Sequence, residues 1–369
     1  MHFSSIIRLT ALGCLLFFTQ IVYVNAKPSS PSANEVVASW PTYSAMPSTG
    51  SNLQKVRFHL QQAQYPGNGS LHFSMATQAF NGLPQRSAES SEYFYLKARI
   101  AQHEHKFEEA IADLNQAIKL QYDYPSAWLL KANLHLIQQQ HDDALNACKQ
   151  LIGNSALALA TVCSLEVSSY QQDNLAERYR LLKRQFSADY FVVNEQSKDA
   201  DISAQLWFEQ LAADMALRLQ QYEEAQGWLS SDNLTEKPLS YIVLWADIQI
   251  AQSNFSNVID TLQPIVAASA FKDDALLIRL AIAQKNLGAH SNTKTDWVYL
   301  SKQRIEQRIA RKDNFHAADI TRFYLWIEPQ PALALKWAQR NYQQAKMDED
   351  LRLLQQARAQ YEQAEGAGK

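Results

Sequence analysis

Glycine is scarce in this sequence, with 10 residues in 369, well under the usual share of about 7%. That scarcity argues against turn-rich all-β architectures and against nucleotide-binding folds that depend on glycine loops. The sequence contains no Walker-type phosphate loop and no Gly-x-Ser-x-Gly elbow, which are the usual signals of nucleotide hydrolysis and of serine-hydrolase chemistry. We therefore assign no catalytic residue and no cofactor.

A charge excess of either sign is also missing. Lys and Arg total 34 against 37 for Asp and Glu, which gives a net charge of −3. A nucleic-acid binder normally carries a basic footprint, so we expect no nucleic-acid partner. The content of 47% hydrophobic and 19% charged residues is enough to build a core and gives no compositional case for disorder.

Hydrophobic runs long enough to cross a bilayer are absent. The longest apolar run, residues 9–24, has 16 residues, whereas a membrane-spanning helix needs about 20. It follows Arg8 and precedes Ala26, and this arrangement is typical of an export signal. We predict a signal peptide over residues 1–26, cleaved after Ala26, with export to the bacterial periplasm and no stable membrane insertion afterwards. Two alternatives remain open, an uncleaved N-terminal anchor and lipidation at Cys14.

Cysteine is rare as well, with three residues in the chain. Cys14 leaves with the signal, so the mature chain keeps Cys148 and Cys163, 15 residues apart. An even number in an oxidising compartment favours a disulfide, and this spacing would place the two residues on neighbouring antiparallel helices. The alternative is that both are ordinary buried thiols. No Cys-x-x-Cys motif is present, and no metal site is predicted.

What the sequence does have is helical periodicity and an internal repeat. Residues 27–50 form a Ser/Pro-rich stretch that we interpret as a flexible leader. Helical spacing of apolar residues then runs from 51 to 364, and residues 365–369 are predicted to be a disordered tail. A period of 34 residues relates Phe94 to Trp128, Ala98 to Ala132, Phe107 to His141, Ala110 to Ala144, and Leu114 to Cys148.

The repeat has a physical basis in helix packing. Small residues let the two helices of a hairpin approach closely, and large residues fill the space to the next hairpin. Ala213, Ala246 and Ala281, which are 33 and 35 residues apart, continue the small position later in the chain. A weaker unit spans residues 157–186, the polar stretch 194–203 is predicted to be a loop, and residues 350–361 are predicted to form a capping helix.

These residues resemble the tetratricopeptide repeat (TPR), with the best units at 92–124 and 126–152. The resemblance implies an all-α fold, a right-handed superhelical solenoid of antiparallel helical hairpins. We expect about seven to eight units plus a C-terminal capping helix. It also implies that the concave groove of the array holds a partner segment, so we predict a non-enzymatic protein–protein interaction scaffold with a protein or peptide partner. The sequence leaves the partner's identity and the oligomeric state open.

The family's register places particular first-helix positions on the concave side. The nominated residues are Tyr95, Arg99, Leu129, Asn133, Gln210, Asp214, Val243 and Asp247. Their mixed character predicts a partner segment that makes both apolar and polar contacts. Leu129 and Leu130 stand where a carboxylate clamp would need polar residues, so we do not predict carboxylate capture. The alternative is that the nominated residues only solvate the groove.

Histidine-bearing turns offer the other candidate chemistry. His103 and His105 are two residues apart and would point in different directions on a helix, whereas a metal pair needs a spacing of four. We expect a solvated loop there, with His141 in the equivalent turn of the next unit and His316 and Asp319 as an ordinary surface pair. The alternative function is an envelope enzyme or metal-binding protein with a site in the 103–105/141 turns or in the irregular 187–205 region.

Overall fold

The described part of the chain consists of α-helices joined by short turns. The computed structural model describes residues 51–153, 157–171, 174–186, 198–288, 295–313 and 316–367. The predicted signal peptide and leader, and residues 187–197 of the irregular region, lie outside these ranges. No β-strand is assigned within them, and none of their helices is both long and apolar enough to cross a membrane.

Seventeen α-helices occur in these ranges. The first eight are α1 Asn52–Gln62, α2 Gly69–Asn81, α3 Ser91–His103, α4 Phe107–Leu120, α5 Pro125–Ile137, α6 His141–Lys149, α7 Leu157–Ser169 and α8 Leu175–Phe186. The remaining nine are α9 Lys198–Arg218, α10 Tyr222–Trp228, α11 Leu239–Ala251, α12 Phe255–Ala268, α13 Asp274–Leu287, α14 Trp297–Ala310, α15 Ala317–Arg322, α16 Pro331–Gln344 and α17 Asp348–Ala367. A π-helical segment, Phe323–Ile327, continues α15.

Each odd-numbered helix packs against the even-numbered helix that follows it. We call the odd-numbered member of each pair the first helix and the even-numbered member the second helix. Eight such hairpins run from α1/α2 to α15/α16, and α17 packs on α16 as a final single helix. The described residues therefore form an all-α solenoid of helical hairpins, as predicted.

Two predicted boundaries were wrong. We predicted a loop at residues 194–203, but α9 begins at Lys198; residues 198–205 contain no Gly or Pro that would interrupt a helix. We also predicted a cap over 350–361 and a disordered tail from 365, whereas α17 spans Asp348–Ala367. Glu, Gln and Ala, which are strong helix formers, continue this helix after its apolar stripe has ended.

Four of the turns inside the hairpins share one geometry. His105, Gln139, Gln220 and Ser253 have φ values of 57°, 61°, 60° and 60°. In each case the next residue donates its backbone N–H to the carbonyl five positions earlier, as Lys106 does to Ala101 at 2.9 Å and Gln140 does to His135 at 2.8 Å. This is the Schellman motif, which usually places glycine at the left-handed position. Polar residues take that position here, and this is how the array reverses direction with so little glycine.

The core lies between the first and second helices. The predicted small residues Ala98, Ala132, Ala213, Ala246 and Ala281 are all at most 2% exposed. Buried side chains form three clusters, one in the first two hairpins, one from α3 to α7, and the largest from Val162 to Ala357. Tyr95 packs against the first two clusters and Trp207 against the last two. One aromatic side chain therefore joins each pair of neighbouring clusters.

Distant hairpins also contact each other within the compact unit Ala45–Lys369. The backbone N–H of Gly67 donates to Asp273 at 2.7 Å, across 206 residues. The side chain of Gln138 donates to the carbonyl of Gln344 at 3.0 Å, again across 206 residues. Turns of early hairpins therefore contact the loops that lie about six hairpins later.

The two mature cysteines meet between neighbouring hairpins. Cys148 lies on α6 and Cys163 on α7, and both are at most 2% exposed. Their Cα atoms are 5.5 Å apart, within the range that a disulfide requires. The structure thus places the pair where the spacing of 15 predicted it.

Gly67 provides a test of the contact between distant hairpins. It has φ of +73°, and a Cβ added there would lie 2.7 Å from the Cβ of Ser269. We expect Gly67→Ala to lower the free energy of unfolding by about 1–3 kcal/mol, because a left-handed backbone and a steric overlap both oppose the side chain. Chemical denaturation followed by circular dichroism measures this change.

Gly227→Ala is the matched control. Gly227 lies in α10, and a Cβ there would meet nothing within 4 Å. Alanine should therefore stabilise the helix by up to about 1 kcal/mol. Equal effects of the two substitutions would show that the contact between Gly67 and the Ser269–Asp273 loop contributes nothing.

Candidate functional site on the first helices

A pocket of about 300 Å³ lies on the face formed by the first helices α7, α9 and α11. We call this surface the first-helix face. The pocket is lined by Glu166, Tyr170, Trp207, Gln210, Leu211, Asp214, Ser240 and Leu244. Helical spacing explains the set, because residues three or four apart share one face of a helix. Each helix therefore presents side chains from one or two of its turns to the same cavity.

A hydrogen bond fixes the spacing of two of these helices. Ser240 on α11 donates its hydroxyl to Oε1 of Gln210 on α9 at 2.8 Å, and Gln210 in turn donates to the carbonyl of Leu206 at 3.1 Å. The amide of Gln210 is thus oriented by both neighbours. This wall of the pocket is therefore already formed in the protein alone.

Arg218 closes the other side of the pocket region. Its Nε lies 2.9 Å from Oδ2 of Asp214, one turn earlier on α9, and its side chain is only 4% exposed. It donates to the hydroxyl of Ser169 at 2.7 Å, and its guanidinium lies 4.0 Å from the ring centroid of Tyr170. The Tyr170 hydroxyl donates to Asp214 at 3.4 Å. One arginine thus joins the C-terminal ends of α7 and α9.

Burial changes the acidity of the pocket carboxyls. Burial and the nearby Asp214 carboxylate raise the pKa of Glu166 to about 7, although Arg218 and a hydrogen bond from Trp207 oppose the rise. Burial also raises the pKa of Asp214, against the effect of Arg218. Glu166 therefore changes charge close to neutral pH, which an exposed glutamate does not do.

A second arginine connects three later first helices. Arg279 on α13 is 2% exposed and donates to both carboxylate oxygens of Asp247 on α11, at 2.9 and 2.8 Å. It also donates to Asp319 on α15 at 3.1 Å. Burial favours the uncharged form of Arg279, but the two carboxylates outweigh it and raise its pKa. A buried guanidinium with this set of partners holds α11, α13 and α15 together.

The start of α17 completes the charge network. Arg322 on α15 lies 3.4 Å from Asp319 and also pairs with Glu349. Asp348 lies 3.4 Å from Arg218. The preceding segment is anchored through the backbone N–H of Lys346, which donates to the carbonyl of Ile137 at 2.9 Å. Acidic residues in the first turn of α17 thus form ion pairs with arginines of two first helices, α9 and α15.

Three of the eight nominated groove residues belong to the pocket or its charge network, and Leu129 and Val243 do not line the pocket. Gln210 and Asp214 line the pocket, and Asp247 holds Arg279. Tyr95, Arg99 and Asn133 lie half-buried on α3 and α5, outside the pocket. The Tyr95 ring packs at 5.1 Å from that of Tyr124. The residues nominated from the family register thus lie near the pocket in the later hairpins and away from it in the earlier ones.

The histidine turns differ from the prediction. His316 and Asp319 are not a surface pair, since Asp319 is 8% exposed and bound to Arg279 and Arg322. The ring centroid of His316 lies 5.3 Å from that of His105 and 6.3 Å from that of His103. The left-handed backbone at His105 is the reason, because the two-residue spacing does not continue a helix there.

These histidines do not form a recognisable metal centre. In the described ranges, no group of three or more His, Cys, Asp or Glu side chains is arranged to hold a metal ion. His141 lies elsewhere, in a separate polar pocket with Gln139, Gln140, Asp142, Asp143 and Gln171. The part of the 187–205 region that the structure describes belongs to α9.

Sequence reasoning missed the arginines and the half-buried Glu166. Each of them looks like an ordinary polar residue of an amphipathic helix. Arg279 and its partner Asp247 are 32 residues apart, close to the repeat length. Opposite charges separated by about one repeat were therefore a usable signal, since equivalent positions of successive first helices lie side by side.

Removing Arg279 tests the network. Arg279→Met would leave Asp247 and Asp319 without their shared cation, and we expect a loss of about 3 kcal/mol in the free energy of unfolding. Arg311→Ala is the control, because Arg311 is exposed at the end of α14 and should change stability by less than about 0.5 kcal/mol. Urea denaturation measures both values, and equal stabilities would contradict a structural role for Arg279.

Comparisons with known proteins give a fold-level context. No family model matches the chain, and no curated protein matches it. Among solved structures, it is similar to the crystal structure of the P58(IPK) TPR domain, at 11% identity, with 85% of this chain and 99% of that chain covered and a TM-score of 0.27. The all-α solenoid is instead seen in the chain's own architecture, eight described helical hairpins that stack in sequence and end in a single helix.

Proposed function

We propose that the protein is a non-enzymatic interaction scaffold of the bacterial periplasm, and that it binds a segment of a protein partner against the first-helix face. The observation that carries the proposal is the pocket to which three successive first helices contribute. A surface assembled from neighbouring repeats can follow an extended segment over several residues. A pocket on a single helix could not do this.

The lining of the pocket suits a peptide. Trp207 and Leu244 provide apolar contact area, while Gln210 and Ser240 provide polar atoms beside them. Mixed surfaces of this kind are usual in interfaces that form and dissociate. Because the Gln210–Ser240 hydrogen bond and the Arg218 ion pair already hold the walls, little ordering of the pocket is needed on binding.

The binding region is proposed to be confined to the α7–α11 part of the first-helix face. Further along, Arg279 and Arg322 are occupied by carboxylates of α11, α15 and α17. The pocket residues Trp207 and Leu244 are only partly buried. A partner segment thus has room beside α9 and α11.

Export is the other part of the proposal. It is supported by residues 1–26, whose pattern is that of a secretory signal, and by the position of Cys148 and Cys163. A disulfide between these residues is expected to form in an oxidising compartment and to persist there. In a reducing cytosol both residues would stay as thiols.

The oxidation state of the cysteines gives a direct test. We expect peptide mapping without reductant to recover Cys148 and Cys163 in one cross-linked fragment. Replacing both by serine should lower the free energy of unfolding by about 3 kcal/mol, the value expected for a loop of 15 residues. The same protein treated with reductant is the control. Two free thiols in the exported protein would show that the disulfide prediction is wrong.

Filling the pocket tests the proposed function. A library of random peptides displayed on phage would be selected on residues 27–369, and the binding of selected peptides measured by fluorescence anisotropy. Leu244→Trp should weaken binding at least about tenfold, because the larger ring occupies the pocket. Circular dichroism would confirm that the variant stays folded.

Leu120→Trp is the matched control, since Leu120 is 51% exposed on α4, outside the pocket. Its affinities should stay within about twofold of the unmodified protein. Failure to select any binding peptide, or equal binding to the Leu244→Trp variant, would contradict the proposed function.

A further inference from the structure

We propose that the pocket on the first-helix face recognises a basic side chain, lysine or arginine, that the partner segment carries among apolar residues. This inference rests on the proposed function and specifies the chemistry of its ligand. It depends on three features of the described residues: the way charges are paired along the face, the aromatic wall of the pocket, and the position of Glu166.

The arginines of the first-helix face are shared among many carboxylates. Arg218 forms ion pairs with Asp214 and Asp348, and Arg279 forms ion pairs with Asp247 and Asp319. Arg322 pairs with Glu349 and also with Asp319, which it shares with Arg279. Three guanidinium groups are thus divided by direct contact among five carboxylates, while Arg352 adds a fourth cation near Asp214 and Glu166 adds a sixth carboxyl group in the pocket wall. A bound cation would reduce this excess of negative charge, whereas a bound anion would increase it.

Glu166 is the carboxyl group best placed to receive a cation. It lies on α7 in the wall of the pocket and accepts a hydrogen bond from Trp207. Arg218 lies near enough to Glu166 to lower its pKa, but its ion pairs are made with Asp214 and Asp348. A lysine or arginine in the cavity would meet Glu166 directly, and Asp214 would lie next to it.

The remaining walls suit the stem of a long basic side chain. Leu244, which is partly exposed, offers apolar surface for its methylene groups, and Trp207 is the aromatic side chain of the lining that a charged end could contact. The protein itself shows this kind of contact at the pocket edge, where the guanidinium of Arg218 lies 4.0 Å from the Tyr170 ring centroid.

Acidic segments are disfavoured by the same arrangement. A carboxylate entering the pocket would lie beside Glu166 and Asp214, and Arg218, one of the two cations near Asp214, is already paired twice. Like charges in a partly desolvated site are costly. The pocket thus discriminates by charge, and its apolar walls add affinity for either kind of segment.

Binding of a basic segment should also depend on pH. Glu166 is faced by Tyr170 at the end of α7, by Trp207, Asp214 and Arg218 on α9, and on α11 by Ser240 and Leu244, which carry no charge. Because the pKa of Glu166 is raised to about 7, the ionised form that attracts a cation grows as pH rises. Affinity for a basic peptide should therefore increase between pH 6 and pH 8.

The experiment uses four peptide libraries that differ only at one central position, fixed as lysine, arginine, norleucine or glutamate. Each would be measured on residues 27–369 and on two variants, Glu166→Gln and the control Glu177→Gln. Glu177 lies exposed on the second helix α8. We expect lysine and arginine peptides to bind about tenfold more tightly than norleucine peptides. That preference should vanish with Glu166→Gln and persist with Glu177→Gln.

The outcomes separate the two proposals. Norleucine or glutamate peptides that bind as well as lysine peptides, while remaining sensitive to Leu244→Trp, would overturn the basic-residue inference and leave the proposed function standing. A lysine preference that survives Glu166→Gln would also overturn it. Absence of binding by all four libraries would contradict the proposed function itself.

Discussion

A buried guanidinium needs carboxylates around it, and Arg279 obtains them from two other helices. Burying an unpaired charge costs several kcal/mol, so Asp247 on α11 and Asp319 on α15 must stay where Arg279 on α13 can reach them. This requirement sets the relative position of three successive first helices. The first-helix face is thus held by ion pairs, while the apolar core lies behind it, between first and second helices.

Because ion pairs hold the first-helix face and the apolar core lies behind it, this face can be fixed in position and still be open to a partner. The side chains that hold the hairpins together, such as Ala246 and Trp245, point into the core and are at most 2% exposed. The side chains on the opposite side of the same helices remain free to be polar. Contacts across 206 residues, such as Gly67 with Asp273, add long-range restraint to an array whose other contacts are between neighbours.

The hairpins could be predicted from sequence, because small residues such as Ala98 and Ala132 recur at 34 residues and their burial follows from helix packing. The turn geometry could not, because His105 and Gln139 take a left-handed position that usually shows as glycine. The pocket could be predicted only in part: Gln210 and Asp214 follow from the register of the repeat, whereas Glu166 is notable only because the fold places it beside Asp214 and Trp207. The choice of Arg218 partners depends on α17, which is 130 residues away.

The central claim is that a partner segment binds on the first helices and not on the second helices. Hydrogen exchange followed by mass spectrometry, with and without a selected peptide, tests it most directly. We predict slower exchange in fragments that cover residues 166–171, 206–214 and 239–244, with little change in α8, α10 and α12. Protection confined to the second helices, or spread evenly along the array, would contradict the account.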